Sequence, residues 1–283
     1  MTYKPVIIIG APRSGTNMLR DVLCSLPKIG TWPCDEINYI WRHGNVNAKD
    51  DEFSTQMATP KASQYIRKAF DKIAKKQNID IVIEKTCANS LRVPFVHEVL
   101  PEATYIYIYR DGADAAGSAF KRWKASLDIP YILKKARYVP LSDLPVYATK
   151  YLWNRIYRIL SNEKRLSFWG PKFKGLEEAL QQHTLEEVCA LQWKRCVDLS
   201  EDAFKQIDAK VIRVKYEDFV TSPHQELSRI LSELDVEADD RLIREAVAGV
   251  TPKSIGKGRK SLQNREKVIQ LISDSLQRYG YDT

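Results

Sequence analysis

The opening unit constrains the fold more than any other part of the chain. Lys4-Pro-Val-Ile-Ile-Ile9 is a short apolar, β-branched run, the pattern of a strand buried within a parallel sheet. It runs into Gly10-Ala-Pro-Arg-Ser-Gly15-Thr16-Asn17, and from Thr16 onward Met18, Leu19, Val22, Leu23 and Leu26 recur at helical spacing until Pro27. A glycine loop between a strand and a helix points its backbone N–H groups and the helix N-terminus at one place, which suits an anion. Further strands are expected at Ile81–Ile83, Thr104–Tyr109 and Val211–Val214. Strands alternating with helices predict an α/β fold, a P-loop-like central parallel β-sheet flanked by helices.

The loop has the G-x-x-x-x-G opening of a Walker A motif but not its continuation. Where that motif places Lys on the terminal phosphates and Ser or Thr on magnesium, this chain has Thr16 and Asn17. An ordinary ATPase, GTPase or P-loop small-molecule kinase is therefore disfavoured. The cationic role passes to Arg13 within the loop, whose planar fork suits bidentate contact with phosphate or sulfate oxygens and needs no metal.

With 283 residues, 44% of them hydrophobic, the chain can bury one large core, and a single domain spanning 1–283 is expected. Between 121 and 186 the pattern changes to a basic and aromatic stretch that includes Trp123, Tyr131, Tyr138, Tyr147, Tyr151, Trp153, Tyr157, Phe168 and Trp169. This stretch is read as a mainly helical insertion, either a packed subdomain or a lid over an acceptor. The net charge of +8 suits an anionic ligand, but no nucleic-acid recognition motif accompanies it, and no nucleic-acid partner is expected. The five cysteines are scattered without a C-x-x-C pair, so neither a disulfide framework nor a metal site is indicated. No secretory leader precedes Val6 and no apolar window approaches the roughly 18 residues of a membrane span, so a cytoplasmic location without a transmembrane anchor is expected.

Pro12-Arg-Ser-Gly-Thr16 after a hydrophobic strand resembles the 5′-phosphosulfate loop of the sulfotransferases that use 3′-phosphoadenosine-5′-phosphosulfate (PAPS). Four more segments of the chain resemble that family's. Glu84-Lys85-Thr86, with Asn89, Arg92 and Pro94 beyond it, resembles the segment whose Lys contacts the transferring group. Tyr109-Arg110-Asp111, with Ser118 eight residues after the Arg, resembles the Arg/Ser pair that contacts the 3′-phosphate. Ser254-Ile-Gly256-Lys257-Gly258-Arg259-Lys260 resembles the basic loop that closes over that phosphate, although the Trp often found there is missing. Val214-Lys-Tyr216-Glu217-Asp218 resembles a Tyr-Glu-Asp segment in which the Tyr lies near the adenine or simply packs.

The resemblance implies a PAPS cofactor without a metal, bound by Pro12, Arg13, Ser14, Gly15, Thr16, Asn17, Arg110, Ser118, Tyr216, Lys257, Gly258 and Arg259. Sulfuryl transfer is then assisted by Arg13 and Lys85, and the acceptor hydroxyl needs a base. Glu36, in the loop after the first helix, is the first candidate because carbohydrate and tyrosylprotein sulfotransferases often carry a Glu there. Asp35 competes with it, and His97 sits in an apolar helical pattern that reads as structural. The acceptor is expected to be a saccharide or glycolipid hydroxyl, with peripheral membrane contact compatible with the basic and aromatic insertion. A P-loop small-molecule kinase and a nucleotide-binding protein without catalysis are the alternatives, and the oligomeric state is not legible.

Overall fold

The computed structural model describes residues 3–124, 138–145, 149 and 169–283. Five strands, β1 (Lys4–Ile9), β2 (Ile29–Gly30), β3 (Ile81–Lys85), β4 (Thr104–Tyr109) and β5 (Val211–Lys215), form one sheet in the order β2-β3-β1-β4-β5. Every pairing is parallel. The expected α/β architecture is thus the one observed. β2, two residues long, lacks any sequence signal and exists through its pairing with β3, Ile29 opposite Ile81.

Alternation along the strands divides the core. Val6 and Ile8 of β1, Ile106 and Ile108 of β4 and Ile212 and Val214 of β5 face a layer that includes α1 (Thr16–Cys24). Ile7, Ile9, Tyr105 and Tyr107 face the opposite layer, which holds α3 (Pro60–Gln77) and α4 (Val93–Val99) together with the short α2 (Asn38–Trp41). Strands this deeply buried lose water on both faces at once, which is why their sequences are nearly continuous apolar runs. A third cluster packs α5 (Gly112–Trp123) against the helices Leu185–Phe204 and Arg265–Arg278. The small residues of α5 allow that approach: a Cβ on Gly112 would come within 2.6 Å of the Trp193 ring.

The strand register aligns the motifs. Ile8 lies opposite Lys85, Ile9 opposite Tyr107, and Tyr109 opposite Lys215, so Gly10, Lys85, Arg110 and Tyr216 all emerge at the carboxyl edge of the sheet. That edge is where open parallel sheets bind ligands. Within the expected insertion at 121–186, the first residues finish α5, and Leu176–Gln182 and the start of Leu185–Phe204 lie at its end. Of its aromatic residues, Trp123 is buried in the third cluster and Trp169 lies 6.4 Å from it between ring centroids. Tyr131, Tyr147, Tyr151, Trp153, Tyr157 and Phe168 lie outside the described residues. Among the described residues no helix is long and apolar enough to cross a membrane.

Candidate active site

The loop between β1 and α1 has the backbone of an anion cradle. Arg13 (φ 69°) and Gly15 (φ 90°) both take left-handed conformations on either side of Ser14, the alternation that turns successive N–H groups to one side. For Arg13 this conformation is uncommon and costly, and the chain keeps it at a loop where it aims the backbone. Gly15 has no substitute, because a Cβ there would overlap the Tyr216 ring. Ser14 is fully buried and its Oγ has no hydrogen-bond partner among the described residues. A buried hydroxyl without a partner is costly unless something else satisfies it. Asn17 Oδ1 is in the same condition. Thr16, which stands at the Walker lysine position, is buried with its Oγ1 3.7 Å from Cys87 Sγ.

Lys85, the last residue of β3, is 3% exposed. Its Nζ donates to Glu36 Oε1 at 3.1 Å and lies 3.6 Å from Asp35 Oδ1. The Cys87 amide also donates to Glu36 Oε1, at 3.3 Å. Burial pulls the Lys85 ammonium toward neutrality, but Glu36, Cys87 and Asp35 together more than offset this and hold its pKa above the ordinary lysine value. Asp35 has a different principal partner: its Oδ1 accepts from Arg20 Nη1 at 2.8 Å. The two acids that the sequence leaves in competition are therefore distinguished by geometry, Glu36 on Lys85 and Cys87, Asp35 mainly on Arg20.

A buried polar network holds the Glu36 segment against β3. Glu84 is 1% exposed and accepts from Thr86 Oγ1 at 2.6 Å and Asn89 Nδ2 at 2.8 Å. Thr86 Oγ1 in turn accepts from the Ile37 amide at 3.2 Å. Asn89 Oδ1 accepts from Arg92 Nε at 2.9 Å, and Arg92 Nη2 donates to Asn38 Oδ1 at 2.5 Å. Residues 37 and 38 are thus tied to the strand end from two sides, which fixes the carboxylate of the residue before them. Burial raises the Glu84 pKa to about 7 while the Thr86 hydrogen bond opposes the shift.

The other end of the site is built on α5. Arg110 is 6% exposed; its Nη1 donates to the Arg13 carbonyl at 3.0 Å, its Nη2 to the Ser254 carbonyl at 2.9 Å, and its guanidinium lies 4.3 Å from the centre of the Tyr216 ring. Arg13 Nε donates to Ser118 Oγ at 3.0 Å, which joins the glycine loop to the Arg110/Ser118 pair. Tyr216 is buried between Gly15 and Arg110, with its hydroxyl hydrogen-bonded to Ser254 Oγ. In the basic loop Lys257 is exposed, Gly258 is buried, and Arg259 donates to Asp111 Oδ2 at 3.0 Å and to the Asp282 carbonyl. His97 lies away from these groups, with its ring 6.3 Å from that of Tyr105 near the start of β4.

His97 apart, the residues singled out from the sequence lie along one edge of the sheet, in two connected groups. Two contributors had no distinguishing sequence signal: Arg20, one helical turn after Thr16, and Asn38, which is held by Arg92 and Asp51. The site fits a nucleotide with an anionic 5′ end, on the evidence of the left-handed cradle and the unpartnered Ser14 hydroxyl. Pro12 to Asn17 and Lys85 would hold that end, and Arg13, Ser118 and the basic loop would face a 3′-phosphate.

Comparison with known proteins points the same way. A sequence profile described as the sulfotransferase family matches residues 5–138, the segment that carries the glycine loop, Glu36, Lys85, Arg110 and Ser118. No curated relative matches the sequence significantly. Among solved structures, the sulfotransferase domain of a Synechococcus olefin synthase superposes with a TM-score of 0.56 at 14% identity, covering 100% of this chain and 96% of that one. The sulfotransferase domain of the curacin biosynthetic pathway gives 0.56 at 11% identity, covering 99% and 98%. A Mycobacterium avium sulfotransferase gives 0.55 at 12% identity, covering 100% and 78%. At these identities the likeness concerns the fold, and the profile adds a match to the sulfotransferase family over just under half of the chain.

Proposed function

We propose that this protein transfers the sulfuryl group of PAPS to a hydroxyl of a saccharide or glycolipid, with Glu36 as general base. The observation that carries the assignment of roles is the Lys85–Glu36 contact, a buried cation and a carboxylate brought together from segments 49 residues apart. When bound, PAPS supplies the sulfuryl group and a bisphosphate nucleotide as leaving group. Lys85, Arg13 and the loop amides hold positive charge where negative charge develops, which stabilises the transition state without moving at the moment of reaction. Glu36 takes the proton of the acceptor hydroxyl. In the free protein it is held by Lys85 and the Cys87 amide, so Lys85 must turn toward the nucleotide for the carboxylate to act. Asp35 holds Arg20 and orients the loop.

The acceptor class is supported by the resemblance to bacterial-type and carbohydrate sulfotransferases and by the aromatic residues of 121–186. The neighbours in structure include domains from an olefin synthase and from curacin biosynthesis, so the fold alone does not choose the acceptor.

Calorimetric titration with 3′,5′-adenosine bisphosphate and with 5′-ADP, each with and without magnesium, tests the cofactor. The expected result is magnesium-independent binding that prefers the bisphosphate. Preference for 5′-ADP with magnesium would replace this reading with that of a kinase. Transfer from radiolabelled PAPS to a panel of sugars, glycolipids and phenols then tests the acceptor, with labelling of sugars or glycolipids over phenols expected.

A further inference from the structure

Asp114 lies on α5 one turn after Arg110 and one turn before Ser118, and its side chain is 2% exposed. Its Oδ1 accepts from the Gly258 amide at 2.5 Å and the Arg259 amide at 3.1 Å. Its Oδ2 accepts from the Gly256 amide at 3.0 Å, Arg110 Nε at 3.2 Å and Arg110 Nη2 at 2.5 Å. Three amides of the basic loop and one guanidinium thus converge on a single carboxylate. A loop with two glycines among four residues would otherwise sample many backbone states.

Such a nest of N–H groups is the kind of site that receives phosphate. Two arrangements are conceivable: the carboxylate is a stand-in that a 3′-phosphate displaces, or it is a permanent pin. The packing decides between them. A Cβ on Gly117 would overlap the Gly258 carbonyl, and one on Gly258 would overlap the Asp114 carbonyl, so the loop backbone rests directly on the helix backbone. No room exists between them for a phosphate unless the loop comes away. Further ties fix the same loop from outside: Arg110 to the Ser254 carbonyl, Tyr216 to the Ser254 hydroxyl and Arg259 to Asp111.

We propose that Asp114 is a positioning residue that pins the basic loop in its closed place before nucleotide arrives. The pin also neutralises Arg110. The charge presented to a 3′-phosphate then comes chiefly from Arg13, which donates to Ser118, and from the exposed Lys257. A pinned loop lowers the ordering cost of binding, and so raises affinity for nucleotides that reach it. The last two consequences rest on reading this loop as the 3′-phosphate contact, whereas the pin itself does not.

The test is Asp114→Asn, which keeps the shape but turns an amide NH2 toward a backbone N–H. In the free protein, NMR hydrogen exchange at Gly256, Gly258 and Arg259 should accelerate by about tenfold or more. Affinity for 3′,5′-adenosine bisphosphate should fall about tenfold, with affinity for 5′-AMP held within about twofold. Equal losses for both nucleotides, tighter bisphosphate binding, or unchanged exchange would each overturn the proposal. If the variant does not fold, the wild-type free protein decides: those three amides must exchange as slowly as the core of β1, and rapid exchange overturns the pin. Wild-type protein that binds both nucleotides equally would overturn the 3′-phosphate reading while the exchange measurement still judges the pin.

Discussion

The two ends of the nucleotide site differ in how their polar atoms are paired. At the end built on α5, Arg110 places hydrogen bonds on Asp114, the Arg13 carbonyl and the Ser254 carbonyl, and Asp114 accepts five. At the glycine loop, Ser14 Oγ and Asn17 Oδ1 are buried without partners among the described residues, and the buried ammonium of Lys85 is held by Glu36, the proposed base, and by Asp35. Around Arg110 and Asp114 the pairing is complete in the free protein, with Arg259 Nε of the basic loop excepted; the glycine loop leaves Ser14 Oγ and Asn17 Oδ1 for a ligand to satisfy. A saturated end can recognise and orient without moving, while a reactive end has to exchange partners during turnover.

The sharpest way to break this contrast is to remove the exchange. Lys85→Ala and Glu36→Gln should each lower turnover with PAPS by about 10²–10⁴-fold, measured on whichever acceptor the panel identifies. Because they share one contact, the double variant should lose little more than the worse single variant. Glu36→Gln should leave bisphosphate affinity within about twofold. Asp35→Asn, which disturbs the Arg20 pair instead, should cost less than about tenfold in turnover. Near-normal turnover of Glu36→Gln would transfer the base to another group and remove the reason for calling this the reactive end.

Next in size is the bridge between the two ends. Arg13 belongs to the glycine loop yet donates to Ser118, and its carbonyl accepts from Arg110. Arg13→Ala should weaken bisphosphate binding by about tenfold, the effect of losing a charge-assisted hydrogen bond. Arg110→Ala should cost affinity through a different route, by leaving Asp114 buried without its cation, and should also lower the melting temperature. Titration and melting on the same two variants separate these outcomes: a stable Arg110→Ala would mean that the α5 end is not the saturated structure described above.

Much of this arrangement was legible in the sequence because each motif is local. A strand run such as Thr104–Tyr109 followed by Arg110 announces its own position at a sheet edge, and parallel order then brings Gly10, Lys85 and Arg110 together. The two-residue β2 was not legible, since its existence depends on β3 rather than on Ile29 and Gly30. Glu36 was visible as an acid in the right loop, but its place beside Lys85 depends on Arg92 reaching Asn38 across 54 residues, and no spacing rule encodes that. Asp114 looked like an ordinary helical partner of Arg110 four residues away; its three loop amides are 142 to 145 residues distant. Tyr216 left two readings open, adenine contact and packing, and its ring is buried against Gly15 and Arg110.

The smallest expected effect concerns the network that supports Glu36 rather than the chemistry itself. Burial disfavours the charge of Glu84 and pushes its carboxyl up to about 7, from the ordinary value of 4.5. The folded state therefore holds this proton more tightly than the unfolded state. The stabilisation it contributes is fully present below the unfolded value, falls as pH rises toward about 7, and is gone above it. Glu84→Gln keeps an acceptor for Asn89 but cannot ionise, so urea denaturation should show the wild type losing stability relative to the variant between about pH 5 and 7, by on the order of 1 kcal/mol. A gap that stays constant across that window would mean that the hydrogen bonds from Thr86 and Asn89 hold Glu84 as a carboxylate throughout. The reactive end would then contain a buried anion one residue from Lys85, and that lysine would be tied to its acids more strongly than a partner exchange allows.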